Sequence, residues 1–195
     1  MTTDRPIPSS CRILLIGGSL RTGSTNTAVL NTAASLAPLG VTAHVYRGLA
    51  ELPHFNPDDD REPLPPAAAQ LRALLAEADA VLFSTPEYAG SLPGSFKNLL
   101  DWTVGGGLYE KPVGFINASP FGAAKGAHDT LRVVLGYVSA HLVEAACLQL
   151  PVRRDAVGAD GEIGDSEIRS AIAAALAALA ALAKSSTAAA RVAPR

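Results

Sequence analysis

Sulfur and aromatic chemistry are scarce in this chain, whose 195 residues include two cysteines, one methionine, one tryptophan and only 5% aromatics. Cys11 and Cys147 lie far apart in apolar surroundings, a placement that suits reduced core thiols and excludes a disulfide framework or a cysteine-based metal site. Neither sign of charge dominates. Lys and Arg total 16 against 18 Asp and Glu, leaving a formal net charge of −2, too little positive charge to follow a nucleic acid backbone and no acidic block of the kind that forms a solvating tail. The opening MTTDRPIPSS has no apolar segment of the signal-peptide type, and no run of about 18 uncharged apolar residues occurs. The expectation is a cytoplasmic protein, with the alanine-rich stretch Ala171–Ala183 read as part of a final helix. His44, His54, His128 and His141 are scattered without metal-ligand spacing, and Asp58-Asp59-Asp60 lacks the surroundings of a calcium loop, so no metal site is expected.

What the chain does have is an apolar fraction of 48%, distributed as short runs alternating with helical patterns. Cys11–Ile16, Val41–Tyr46, Ala80–Ser84, Val113–Asn117 and Val143–Leu148 read as strands. Thr25–Leu36, Pro66–Ala78, Pro93–Trp102, Lys125–Ser139 and Ser166–Lys184 read as helices. This alternation predicts an α/β fold with a parallel sheet covered by helices on both faces. Ser24 or Thr25 is placed to cap the first helix, Pro93 suits a first turn, and Pro38 with Gly40 closes the first helix. A chain of this size accommodates one doubly wound, flavodoxin-like five-stranded sheet in the order 2-1-3-4-5, with ligands at the carboxyl ends of the strands. Residues 1–184 are expected to form that single domain and 185–195 a flexible tail.

The loops after strands one, three and four then carry the chemistry, and they read GGSLRTGSTN, TPEYAGSLPG and ASPFGAAKG. The first runs from a strand into a helix whose free N–H groups and positive dipole end favour an anion. Ser19, Ser24, Thr25 and Asn26 add neutral donors, and Arg21 adds a charged fork. The spacing approaches a nucleoside-triphosphate loop but lacks its lysine, and no Gly-x-Gly-x-x-Gly fingerprint is present, so a terminal monophosphate fits best. Taken alone, such a loop is also compatible with an ordinary capped turn. In the second loop the backbone N–H groups of residues 87 to 90 can meet the polar edge of a flat heterocycle lying against Tyr88. Ser119 has no Gly-x-Ser-x-Gly setting, which argues against a hydrolase.

Together with KNLLDW downstream, these loops make the chain resemble the NADPH-dependent FMN reductase family of the flavodoxin-like fold. The likeness spans nearly the whole domain and includes ELPHFNPDDD after strand two. It implies that Ser19, Arg21, Ser24, Thr25 and Asn26 hold the FMN phosphate. Pro86, Glu87, Tyr88, Ala89 and Gly90 would surround the isoalloxazine ring, with Ser119 and Gly122 as further cofactor residues. Ala89 stands where family members commonly have Asn, and Gly122-Ala123 where they are often richer in glycine. The resemblance further implies transfer of hydride from NADPH or NADH through FMN to a quinone, free flavin, azo compound or oxidised metal ion by a ping-pong mechanism, with no catalytic side chain. It also implies a homodimer or homotetramer, paired through the region of Trp102, Val104 and the glycines that follow. The alternatives are a flavodoxin-like single-electron carrier and a flavin-dependent redox-sensing protein; the near-neutral charge offers a carrier little electrostatic steering.

Overall fold

Each expected apolar run is a strand in the structure, a computed structural model that describes residues 11–120 and 122–192. The strands are β1 (Cys11–Gly17), β2 (Val41–Tyr46), β3 (Ala80–Ser84), β4 (Pro112–Asn117) and β5 (His141–Gln149). They form one parallel sheet in the order β2-β1-β3-β4-β5, the doubly wound flavodoxin-like order expected. The helices are α1 (Thr25–Ser35), α2 (Pro66–Glu77), α3 (Gly94–Asp101), α4 (Lys125–Tyr137) and α5 (Ser166–Val192). Pro93 is the cap residue just before α3 rather than part of its first turn.

Successive side chains of a strand point to opposite faces, and that period sorts the core into two halves. Leu14, Ile16, Val81 and Phe83 pack with Leu71 and Leu75 of α2, Phe96, Leu99 and Leu100 of α3, and Leu131 and Leu135 of α4. Ile13, Leu15, Ala80 and Leu82 pack instead with Ala28, Val29 and Leu30 of α1 and with Ile172, Leu176 and Leu179 of α5. Because both faces are covered, the central strands read as unbroken apolar runs. Burying each Leu or Ile of α5 contributes about 1.5–3 kcal/mol relative to leaving it in water.

Two features of α5 stand beside the expectations for it. By length and composition Ser166–Ser185 is long and apolar enough to cross a membrane. Its buried stripe of Ile172, Ala175, Leu176, Leu179, Ala180 and Ala183, lying against the sheet, accounts for that composition as a core helix. The helix also continues past Lys184 to Val192, and residues 193–195, the end of the segment expected to be a tail, lie outside the described residues. The edge strand β5 is longer than expected and irregular: Val113 pairs with Leu142, yet Phe115 pairs with Cys147. Gly114 sits at that irregularity because a Cβ there would come within 2.6 Å of the Ala146 Cβ.

The segment after β2 is docked by KNLLDW. Asn98 accepts from the Phe55 N–H at 2.8 Å and donates to the Pro53 carbonyl at 2.9 Å, while the Trp102 indole N–H reaches the same carbonyl at 2.9 Å. Phe55 meets the Trp102 ring edge-on at 5.1 Å. Trp102 is fully buried, so of the residues expected at a subunit contact it belongs to the core, while Val104 is exposed.

Candidate functional site

The loops following β1, β3 and β4 converge at the carboxyl ends of the strands around a cleft of about 480 Å³, a size suited to a small-molecule ligand or cofactor. Of the residues expected there, Ser19, Arg21, Ser24, Thr25, Asn26, Pro86, Glu87, Tyr88 and Ser119 line it; Ala89, Gly90 and Gly122 do not. Sequence reasoning missed Thr85, Asn117, Val152 and Arg154, which also form its wall.

Close packing shapes the first loop. The Gly18 N–H donates to the Ser84 carbonyl at 3.0 Å, and a Cβ on Gly18 would fall 2.0 Å from the Thr85 hydroxyl, so only glycine lets the loop leave β1 along β3. Gly23 turns the chain into α1 with φ of +66°. Ser24 occupies the cap position with extended backbone, but its hydroxyl makes no capping bond, and no acidic residue lies in the first turn. The first N–H groups of α1 have no intrahelical acceptors, and no acid in that turn offsets its positive end, whose Thr25 and Asn26 line the cleft. Behind it, the Ser84 hydroxyl donates to the Asn26 carboxamide oxygen at 2.9 Å and lies 3.0 Å from the Ile116 carbonyl, tying α1 to the two central strands.

The Glu87 side chain is already engaged. Its carboxylate accepts from the Ala127 N–H at 2.9 Å in the first turn of α4, which offsets the dipole of that helix. The approach is close enough that a Cβ on Gly126 would lie 2.3 Å from the Gly90 carbonyl oxygen. Ala89 and Gly90 form the tip of a two-residue turn in which Tyr88 and Ser91 exchange backbone hydrogen bonds of 3.0 and 3.1 Å. Tyr88 remains exposed at the rim.

Asn117, the last residue of β4, organises the third loop. Its side-chain oxygen accepts from the Ser119 N–H at 2.9 Å and its amide donates to the Ala123 carbonyl at 2.8 Å, a local side-chain turn of the sort Asn favours. Ala124 follows in the left-handed region, with φ of +67°. Below it, the buried His128 ring holds the Ala124 carbonyl through Nδ1 at 2.6 Å and lies 5.1 Å from Phe115. Burial pushes the His128 imidazole below its usual 6.5; the backbone bond to Ala124 and the charges of Glu87 and Asp129 only partly oppose this. The ring is therefore neutral at pH 7, with its Nδ1–H donating.

The lining thus offers hydroxyls, two side-chain amides from Asn26 and Asn117, two guanidinium groups from Arg21 and Arg154, and one carboxylate, that of Glu87, already held by a helix. This donor set fits a monophosphate at the α1 end and leaves the Pro86–Tyr88 side for a flat polar ring, as FMN requires. No group of His, Cys, Asp and Glu suited to a metal ion occurs among the described residues.

A parallel sheet of this order with a cleft at its switch point defines a flavodoxin-like nucleotide-binding protein. Comparison with known proteins narrows the class. The family model for NADPH-dependent FMN reductases matches residues 11–152. An NAD(P)H-dependent FMN reductase of Pseudomonas aeruginosa is 33% identical over 166 residues, 83% of this chain and 89% of that protein. A quinone reductase of Escherichia coli is 33% identical over 135 residues, 66% of this chain and 71% of its own. Among solved structures, FerB, a flavoenzyme NAD(P)H:(acceptor) oxidoreductase from Paracoccus denitrificans, superposes with a TM-score of 0.78 at 28% identity, covering 90% of this chain and 98% of FerB. The chain belongs to the NADPH-dependent FMN reductase family, a family of oxidoreductases that work with FMN and NAD(P)H.

Proposed function

We propose that the protein is a cytoplasmic FMN-containing oxidoreductase that takes a hydride from NADPH or NADH and delivers it to a small acceptor by a ping-pong mechanism, the acceptor being a quinone, flavin, azo compound or oxidised metal ion. The observation that carries this reading is the meeting of an uncompensated helix N-terminus and a Pro-Glu-Tyr loop across one cleft. Ser19, Arg21, Ser24, Thr25 and Asn26 hold the phosphate. Pro86, Glu87, Tyr88 and Ser119 flank the ring, and Ala89, Gly90 and Gly122 act through the backbone shape of their loops.

FMN, held by these residues, would supply the two-electron redox chemistry between reduced nicotinamide and acceptor. The chain's own work is binding and orientation. Glu87 locks the ring-side loop to α4, and Asn117 locks the loop that carries Ser119. Tyr88, exposed at the rim, would stand beside the ring where nicotinamide and acceptor would have to enter. No side-chain acid or base is required, and the relatives that are named quinone reductases favour a quinone among the acceptors.

The purified protein should be yellow, release FMN on denaturation, bind FMN more tightly than riboflavin, and lose its flavin absorption when NADPH or NADH is added without oxygen. Steady-state turnover with a quinone should give parallel double-reciprocal lines. Failure of either nicotinamide to reduce the flavin, with reduction by one-electron protein donors instead, would replace this reading with an electron carrier.

A further inference from the structure

The segment after β5 forms part of the cleft wall although no sequence motif marks it. The Leu150 N–H donates to the Asn117 carbonyl at 2.9 Å and the Val152 N–H to the Ala118 carbonyl at 3.2 Å, so the chain leaves β5 along the base of the loop that carries Ser119. Val152 is fully buried. The chain then makes a single turn at Arg154–Ala156 and crosses to α1. There the Ile163 N–H donates to the Thr32 hydroxyl at 2.9 Å, and the Ser35 hydroxyl donates to Glu162 at 2.7 Å. Arg154 lies on this crossing, between the anchor of Val152 on the Ser119 loop and that of Ile163 on α1, and it lines the same cavity as Arg21, Ser24 and Thr25.

Its neighbours leave its charge uncompensated. Arg153 pairs side-on with Asp155 through two hydrogen bonds of 3.1 Å, occupying the nearest carboxylate. Among the described residues Arg154 has no side-chain hydrogen-bond or ion-pair partner, and the one carboxylate lining the cleft, Glu87, is bound to α4. An exposed, unpaired guanidinium on a cleft that already presents Arg21 and a helix N-terminus is suited to the oxygens of a doubly charged phosphate.

We infer that Arg154 is a second phosphate-binding cation, acting with Arg21 on the 5′-phosphate of FMN and biasing the cleft toward FMN over riboflavin. This rests on the reading that the cleft holds FMN by its phosphate. The test is titration of the flavin-free protein with FMN and with riboflavin, followed by flavin fluorescence, for the unmodified chain, Arg154→Gln and Arg153→Gln. Arg154 is exposed, so its replacement leaves the core untouched. Arg154→Gln should raise the Kd for FMN about tenfold, the scale of one hydrogen bond to a charged group. The Kd for riboflavin should stay the same, and Arg153→Gln, which frees the Asp155 carboxylate beside Arg154, should weaken FMN binding by less than Arg154→Gln and leave riboflavin binding unchanged. Added salt should weaken FMN binding more steeply in the unmodified chain than in Arg154→Gln. An unchanged FMN affinity, or equal losses for FMN and riboflavin, overturns the assignment. A change confined to the KM for NADPH, with that for NADH unaltered, overturns it in favour of the coenzyme's 2′-phosphate. If the unmodified chain binds riboflavin as well as FMN, the phosphate-site reading itself fails, and the inference with it.

Discussion

At the scale of single residues, the site separates groups that hold the protein together from groups left for a ligand. Ser24 is the clearest case of the second kind. It stands at the cap of α1 without capping it, so Ser24→Ala should leave the stability of the flavin-free protein nearly unchanged, whereas losing a working cap costs about 1 kcal/mol. The same change should weaken FMN binding by about 1.5–3 kcal/mol. Urea unfolding beside FMN titration checks both halves, and a loss of stability without a loss of affinity would show that the hydroxyl serves the helix. Ala89 also bears on stability, but at a cost. With φ of +51° beside Gly90 at +75°, it occupies the turn position where Asn-Gly is the favoured pair, and an alanine in the left-handed region costs about 1–2 kcal/mol. Ala89→Asn should therefore stabilise the protein by about 1 kcal/mol, read as a higher urea midpoint at constant slope. A midpoint that fails to rise would deny the strain. An Asn at this place would thus have a backbone reason, independent of any contact to the ring or the nicotinamide.

At the scale of elements, the start of α4 is where most of the site's order originates. Glu87, Gly126, Ala124 and His128 lock the loops after β3 and β4 to one helix N-terminus. His128 gives this junction a pH dependence of definite sign. Well above pH 6.5, the ordinary value, the imidazole is neutral in both folded and unfolded chains. As the pH falls below 6.5 the unfolded chain takes up the proton first, so stability is lost from there down to the lowered folded value. His128→Phe should lower stability overall, by losing the bond to Ala124, but flatten its slope with pH in that window, as urea midpoints measured from pH 7.5 to 5 would show. An unaltered slope would place the titration elsewhere. Little of this junction was legible beforehand. The strands were, because runs such as Ile13–Ile16 are apolar on both faces, and so was the first loop, whose donors are adjacent in sequence. The engagement of Glu87 depends on Ala127, forty residues on, and the presence of Arg154 in the cleft depends on a crossing that ends at Thr32, 131 residues away from its partner Ile163. Local pattern carries no trace of such pairings.

At the scale of the whole molecule, the question is what covers the apolar surface left outside the two core halves. Val133 and Tyr137 are exposed one turn apart on α4, and Tyr109 is exposed beside the Glu110 N–H that bonds the Ser139 carbonyl just past the end of that helix. That bond joins the end of α4 to the connection between α3 and β4, on which Val104 is also exposed. A near-neutral protein with a grouped apolar surface of this kind is suited to association, and symmetry favours a closed dimer or a tetramer built from dimers. The face lies on the α4 side, and none of these residues lines the flavin cleft. Placing charge there should split the assembly while sparing flavin binding. Val133→Asp with Tyr137→Glu should convert a dimer or tetramer into a smaller species in sedimentation or light scattering, with the Kd for FMN within about threefold of the unmodified value, a difference below about 1 kcal/mol. A monomeric unmodified protein would remove the proposal at once. An assembly that survives both substitutions would place the interface on another face of the molecule.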